Sequence, residues 1–321
     1  MSCYSPLLGV PVEFENGVVK RYQIQGRYEP IAKERIDPRC IKIPCGHCLG
    51  CRLDYSRQWA DRMILELDHT GKGCFMTLTY NDENVPKVFD DDMFYGLTLS
   101  KKDCQDFMKR LRKAFTGTEI RFYACGEYGS NTRRPHMHII CFGISLDDFP
   151  DREIKGMNEL GQSHFISKKL ERIWNKGFCL IADVSYKTCA YVSRYVQKKA
   201  FNDLVEWYQE PEFSLMSRRP GIGAYYLKEH PNCIDLTKIY LKDSNGSVSV
   251  RPPKYFLNKL METNNFADAF KVLALKEQMT ELASDKELLK LQKTELNYYE
   301  MLDIEQEELY NRTKILCKLR A

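Results

Sequence analysis

What this 321-residue chain lacks narrows its class before any motif is read. No stretch approaches the ~18 uninterrupted apolar residues of a membrane-crossing helix, so no membrane partner is expected. The opening Met1-Ser2-Cys3-Tyr4-Ser5-Pro6 lacks the basic and apolar regions of a secretory signal, which predicts a cytoplasmic protein. The 13 cysteines lack an even pairing and are scattered through apolar runs, as at Cys74, Cys125, Cys141 and Cys179. That distribution predicts free thiols in a reducing compartment rather than disulfides. A strong charge imbalance is missing too, since 48 Lys and Arg stand against 44 Asp and Glu, a net +4. Residues 276–321 carry 8 basic and 10 acidic side chains, which leaves about +6 on residues 1–275, compatible with a polyanionic partner. The last proline is Pro253, so residues 257–321 are free to be helical.

The stretch around which the chain is organised is Arg134-Pro135-His136-Met137-His138-Ile139-Ile140-Cys141-Phe142-Gly143. Its β-prone run between Pro135 and Gly143 predicts a strand. Side chains alternate on a strand, so His136 and His138 share a face, roughly 6.6 Å apart along it. Two neutral imidazoles at that spacing can share a divalent metal if an oxygen ligand completes the site. The preceding strand, Ile120 to Glu127, places Arg121, Tyr123, Cys125 and Glu127 on one face, and a short loop returns it antiparallel to the histidine strand. Glu127 is therefore the candidate third ligand, with Asp183 next in line.

About fifty residues downstream, Tyr186 to Lys199 lacks Gly and Pro and has Ser185 and Thr188 as caps, which predicts a helix of about four turns. Tyr191 and Tyr195 are then i and i+4 neighbours, with Arg194, Lys198 and Lys199 beside them. A phenol with a pKa of about 10 is a poor nucleophile near neutrality, so such cations are what an attacking tyrosine needs.

His136-Met137-His138 resembles the histidine-hydrophobe-histidine motif of HUH endonucleases. Tyr191-Val-Ser-Arg194-Tyr195-Val-Gln-Lys198 resembles the paired-tyrosine motif of two-tyrosine replication initiators, with Arg194 where that pattern often has Lys. Cys74-Phe-Met-Thr-Leu-Thr-Tyr80, Cys125-Gly-Glu-Tyr-Gly129, Pro44-Cys-Gly-His-Cys-Leu-Gly-Cys-Arg52 and Ser217-Arg-Arg-Pro-Gly-Ile-Gly223 complete the pattern. Together they resemble replication initiation proteins of microviruses of gokushovirus type, over roughly residues 1–230. The resemblance implies a rolling-circle initiator working in the host cytoplasm on single-stranded or stem-loop origin DNA, with host helicase and polymerase as partners. Tyr191 and Tyr195 would be nucleophiles assisted by Lys198 and Arg194, with Mg2+ or Mn2+ on His136, His138 and Glu127. The product would be a 5'-phosphotyrosine and a 3'-hydroxyl, later rejoined without ATP. A relaxase or transposase of the same chemistry is an alternative, as is a non-catalytic zinc-knuckle protein for DNA binding or packaging.

Cys45, Cys48 and Cys51 at x2 spacing suit a soft metal such as zinc, needing one more ligand from Cys40 or Cys3. Arg134, Lys199, Arg218 and Arg219 are candidate DNA contacts, the last two beside glycines whose amides suit a phosphate. Residues 1–43, interrupted by Pro6, Pro11, Pro30 and Pro38, are expected to be irregular, and 144–163 a polar loop. Leu53 to His69 predicts a helix with Trp59, Met63, Ile64 and Leu67 inward and Arg52, Arg57 and Arg62 in solvent. Ser100-Lys-Lys-Asp103 resembles a capping box opening a helix that buries Phe107, Leu111 and Phe115. The sum is an α+β fold, an antiparallel sheet flanked by helices, with a Cys-rich N-terminal knuckle and a helical C-terminal tail. The expected divisions are 1–70 (knuckle and helix), 71–205 (nuclease domain), 206–256 (basic Gly/Pro-containing extension) and 257–321 (tail).

Overall fold

Residues 1–43 are not irregular, because strands form there in spite of the prolines. In the computed structural model, which describes residues 3–15, 18–28, 39–129, 132–157, 162–198, 206–230, 238–243, 246–262 and 266–318, β1 (Leu7–Glu15) pairs with β2 (Val18–Arg27) and with β3 (Ile41–Ile43). Only Leu7 to Gly9 of β1 meets β3, so Pro11 lies where β1 has one neighbour, at an irregularity in its pairing with β2. A residue without an N–H is tolerated in such a place.

The elements that follow are α1 (Leu49–Thr70), β4 (Gly73–Tyr80), β5 (Lys87–Asp90), β6 (Met93–Leu97), α2 (Lys101–Ala114), β7 (Arg121–Tyr128) and β8 (Pro135–Phe142). Then come β9 (Glu153–Met157), β10 (Ser163–Ile166), α3 (Lys168–Trp174), β11 (Gly177–Asp183), α4 (Tyr186–Lys198), β12 (Phe213–Met216) and α5 (Ala224–Glu229). The hairpin β13 (Ile239–Asp243) and β14 (Gly246–Val250) precedes α6 (Lys254–Met261), α7 (Phe266–Leu291) and α8 (Tyr298–Lys318). The fold is α+β, as expected. The chain divides into two compact units, residues 1–55, 232–238 and 252–321 in one, and 56–231 with 239–251 in the other.

In the second unit a seven-stranded antiparallel sheet runs in the order β12-β7-β8-β4-β11-β10-β9. The expected loop at 144–163 thus contains β9, whose every residue is exposed; lacking a buried face, it shows no apolar alternation to read. One face of the sheet presents Met76, Leu78, Tyr80, Met137, Ile139 and Cys141 to α2 and α3, where Phe107, Leu111 and Trp174 are fully buried. Each such side chain contributes about 1.5–3 kcal/mol on leaving water. Ser100 caps α2 by accepting the Asp103 amide, but the Asp103 carboxylate accepts from Tyr80 and pairs with Lys176. The capping box is therefore half made. The opposite face is covered by α1, where Trp59 lies 5.0 Å from the Tyr123 ring, and by α4.

The α1 arginines are not a solvated row. Arg57 pairs with buried Asp61 at 2.9 Å, and Arg62 donates to the Ile222 carbonyl while lying 4.0 Å over the Trp59 ring. Their long stems pack on apolar surface and bring the charge to a partner the helical pattern alone does not show.

Candidate functional site

Strand register assembles the site. Pairing of β7 with β8 sets Glu127 opposite His136 and Cys125 opposite His138, and β4 sets Thr77 opposite His138 on the other side. Directly opposed residues of antiparallel strands share a face, so one face gathers a carboxylate, two imidazoles, a thiol and a hydroxyl. Glu127 Oε1 lies 2.6 Å from His136 Nε2 and 3.0 Å from His138 Nε2. The outer nitrogens are held as well, His136 Nδ1 at 3.1 Å from the Arg134 carbonyl and His138 Nδ1 at 3.0 Å from Thr77 Oγ1. A carbonyl only accepts, so His136 Nδ1 carries a proton and the Nε2 lone pair of its neutral ring meets the carboxylate. Two lone-pair donors hold that contact only with a cation between them, a proton or a metal ion.

Burial sharpens the demand. Glu127 is 3% exposed and His138 5%. Desolvation alone would raise the Glu127 carboxyl, but hydrogen bonds and charge from His136 and His138 outweigh it and hold the group below the ordinary carboxylate range. The three ligand atoms lie within 4.8 Å of one another. Two nitrogens and one carboxylate oxygen form a three-ligand set of the kind that leaves metal positions open to a substrate.

The helix α4 opens on a reciprocal cap, in which the Ser185 amide donates to Thr188 Oγ1 at 2.8 Å and the Thr188 amide to Ser185 Oγ at 3.3 Å. Cys189, Val192 and Ser193 face inward, with Ser193 Oγ 2.8 Å from Ser56 Oγ, and the Tyr186 hydroxyl donates to Asp61 at 3.0 Å. This fixes the helix rotation so that the Tyr191 ring stands edge-on to His138, centroids 5.3 Å apart, while Tyr191 keeps 38% of its surface exposed. Phe75 stacks on the same imidazole at 5.5 Å. Arg194 is half-buried on α4. Lys199 lies outside the described residues, as do the side chains of Tyr195 and Lys198.

The other expected residues are placed as follows. Asp183 pairs in register with Cys74, on the face away from the histidines, so strand alternation removes it as a ligand. Arg134 donates to the Tyr80 carbonyl and pairs with Asp82 at 2.8 Å. Arg218 and Arg219 are exposed, following Met216, which pairs with Tyr123, whereas Glu127 sits four residues further along β7. The Gly223 amide donates to buried Glu66 and not outward. In the first unit, Cys3, Cys45, Cys48 and Cys51 come together, and Cys40 stands outside the group. Sequence reasoning missed Thr77 and Phe75 as site residues. Their signal was a hydroxyl at mid-strand, facing the same way as Phe75 in an otherwise apolar run.

The family model for replication-associated proteins of the ORF2 type matches residues 73–200, the span from β4 to α4. Replication-associated protein ORF2 of Spiroplasma virus 4 is 32% identical over 343 residues, covering 99% of this chain and 98% of that protein. The chain belongs to this family of phage replication-associated proteins. Within the family, Replication-associated protein VP4 of Bdellovibrio phage phiMH2K is 27% identical across 66% of each chain. Replication-associated protein ORF4 of Chlamydia phage 1 is 29% identical over 49% of this chain and 38% of its own length. No solved structure matches the chain. Among the described residues, no helix is long and apolar enough to cross a membrane.

Proposed function

We propose that the chain initiates rolling-circle replication of a single-stranded DNA phage genome as an HUH-type endonuclease. The observation that carries this reading is the Tyr191 ring against His138, beside a three-ligand group on a rigid sheet. A divalent ion on Glu127, His136 and His138, Mg2+ or Mn2+, supplies Lewis-acid polarisation of the scissile phosphate when bound. The Tyr191 oxygen attacks phosphorus and the phenol proton leaves to water. The bond from phosphorus to the 3'-oxygen breaks, and that oxygen takes up a proton. The phosphate remains as a 5'-phosphotyrosine, and the 3'-hydroxyl serves host polymerase as primer while a host helicase opens the duplex. Arg194, one turn beyond Tyr191, and Lys198 lower the phenol pKa and balance charge growing on the phosphate. Tyr195 performs the second cut, so that the 3'-hydroxyl formed then attacks the first ester and closes the displaced strand. Arg218 and Arg219 contact DNA backbone away from the cut.

The test is an SDS-resistant adduct between the full chain and labelled single-stranded origin oligonucleotides with Mg2+ or Mn2+. Tyr191→Phe with Tyr195→Phe abolishes the adduct at unchanged melting temperature. An adduct that persists in that variant refutes the nucleophile assignment. Absence of any adduct on the cognate origin favours the non-catalytic DNA-binding reading, which the cysteine group also suits.

A further inference from the structure

The four gathered cysteines belong to no step of the proposed reaction, and their geometry asks for a separate explanation. Cys3 precedes β1, Cys45 follows β3, Cys48 ends the turn before α1, and Cys51 lies in the first turn of α1. The Cys3 and Cys48 sulfurs are 4.0 Å apart, twice the ~2.05 Å of a disulfide. Four thiolates at ~2.3 Å from a tetrahedral ion are roughly 3.8 Å apart, which matches.

The backbone around the sulfurs is arranged for negative charge. The Tyr4 amide donates to Cys48 Sγ at 3.3 Å, the Cys45 amide to Cys3 Sγ at 3.2 Å, and the His47 and Cys48 amides to Cys45 Sγ at 3.4 and 3.3 Å. A neutral thiol is a weak acceptor, so converging amide donors suit thiolates. The two bonds onto Cys45 need a tight turn, and Gly46 supplies it at φ +78°, where a side chain would be strained. His47 is exposed and stands outside the group.

We propose that Cys3, Cys45, Cys48 and Cys51 bind one structural zinc ion that fastens the start of the chain to its C-terminal helices. Cys48 also packs on the apolar cluster of Tyr4, Tyr298, Met301 and Leu302, where α8 begins. The Tyr299 hydroxyl donates to the Tyr28 carbonyl at 2.6 Å in the same place. Zinc fixes the Cys3 and Cys48 ends of that cluster, so holding the metal and docking α8 are one event. Four soft sulfur donors with no open position select zinc over the hard ion of the histidine group.

The experiment uses the purified full chain. Elemental analysis after dialysis finds stoichiometric zinc, and exchange for Co2+ gives the absorption of a tetrahedral four-thiolate site. Cys40→Ser keeps both signals, whereas Cys3→Ser and Cys48→Ser lose them. Zinc removal by a strong chelator raises amide exchange at the start of α8, and zinc readdition reverses it. A chain with intact thiols that binds neither Zn2+ nor Co2+ overturns the proposal, as does the spectrum of an iron-sulfur cluster. Zinc kept in Cys3→Ser but lost in Cys40→Ser also overturns it. None of these readouts depends on nicking, and Tyr191→Phe leaves all of them unchanged.

Discussion

Replacing Glu127 by Gln tests the metal centre at its one anionic ligand. The shapes match, so the side chain still fits beneath the two imidazoles. Two charge-assisted hydrogen bonds of about 1.5–3 kcal/mol each are weakened, but the several kcal/mol needed to desolvate a buried carboxylate are relieved. The metal-free variant is therefore expected to melt within a few degrees of the parent. Metal binding is different, because losing even a group that only orients a ligand weakens affinity 10- to 100-fold. Loss of a charged direct ligand should weaken it at least about 100-fold. Mn2+ at 100 times the parent dissociation constant stabilises the parent by about 2.7 kcal/mol, and by the same relation stabilises the variant by about 0.4. At 2–4 °C per kcal/mol for a unit of this size, the parent gains about 5–11 °C and the variant about 1–2 °C. Differential scanning fluorimetry with and without Mn2+ reads both. Equal metal-induced shifts refute Glu127 as a ligand. The acid limb gives a second check. Burial opposes ionisation of Glu127, but the histidine hydrogen bonds prevail and lower its folded pKa. Its contribution to stability is then complete above the unfolded value, about 4.3, and disappears as pH falls through the folded one. Glu127→Gln should remove that part of the acid transition.

Thr77→Val keeps the strand but removes the partner of His138 Nδ1; isothermal titration with Mn2+ should show affinity lowered 10- to 100-fold, with the parent far-UV circular dichroism. Ser185→Ala removes one half of the α4 cap and should lower stability by about 1 kcal/mol in urea unfolding. Because the cap sets where α4 starts, that variant should also form the covalent adduct more slowly, and an unchanged adduct rate would separate the cap from Tyr191 placement.

The central strands were legible because each has a buried face and a plain alternation, as in Met137, Ile139 and Cys141 against His136 and His138. The α4 caps were legible because Ser185 and Thr188 are local in sequence. Residues 1–43 and 153–157 were not, since strands that are edges or exposed on both faces carry no period, and proline is read as a breaker unless the pairing partner is known. Alternation by itself put His136 and His138 on one face and made Glu127 a candidate. It determined which residue types the site contains. Only the tertiary structure decided that β4 brings Thr77 to His138, that Asp183 turns to the other face, and that Cys3 rather than Cys40 joins the cysteine group. Spacing along a chain fixes neighbours within one strand or turn, whereas register between strands and closure of a 42-residue separation, as from Cys3 to Cys45, are set by how distant surfaces pack.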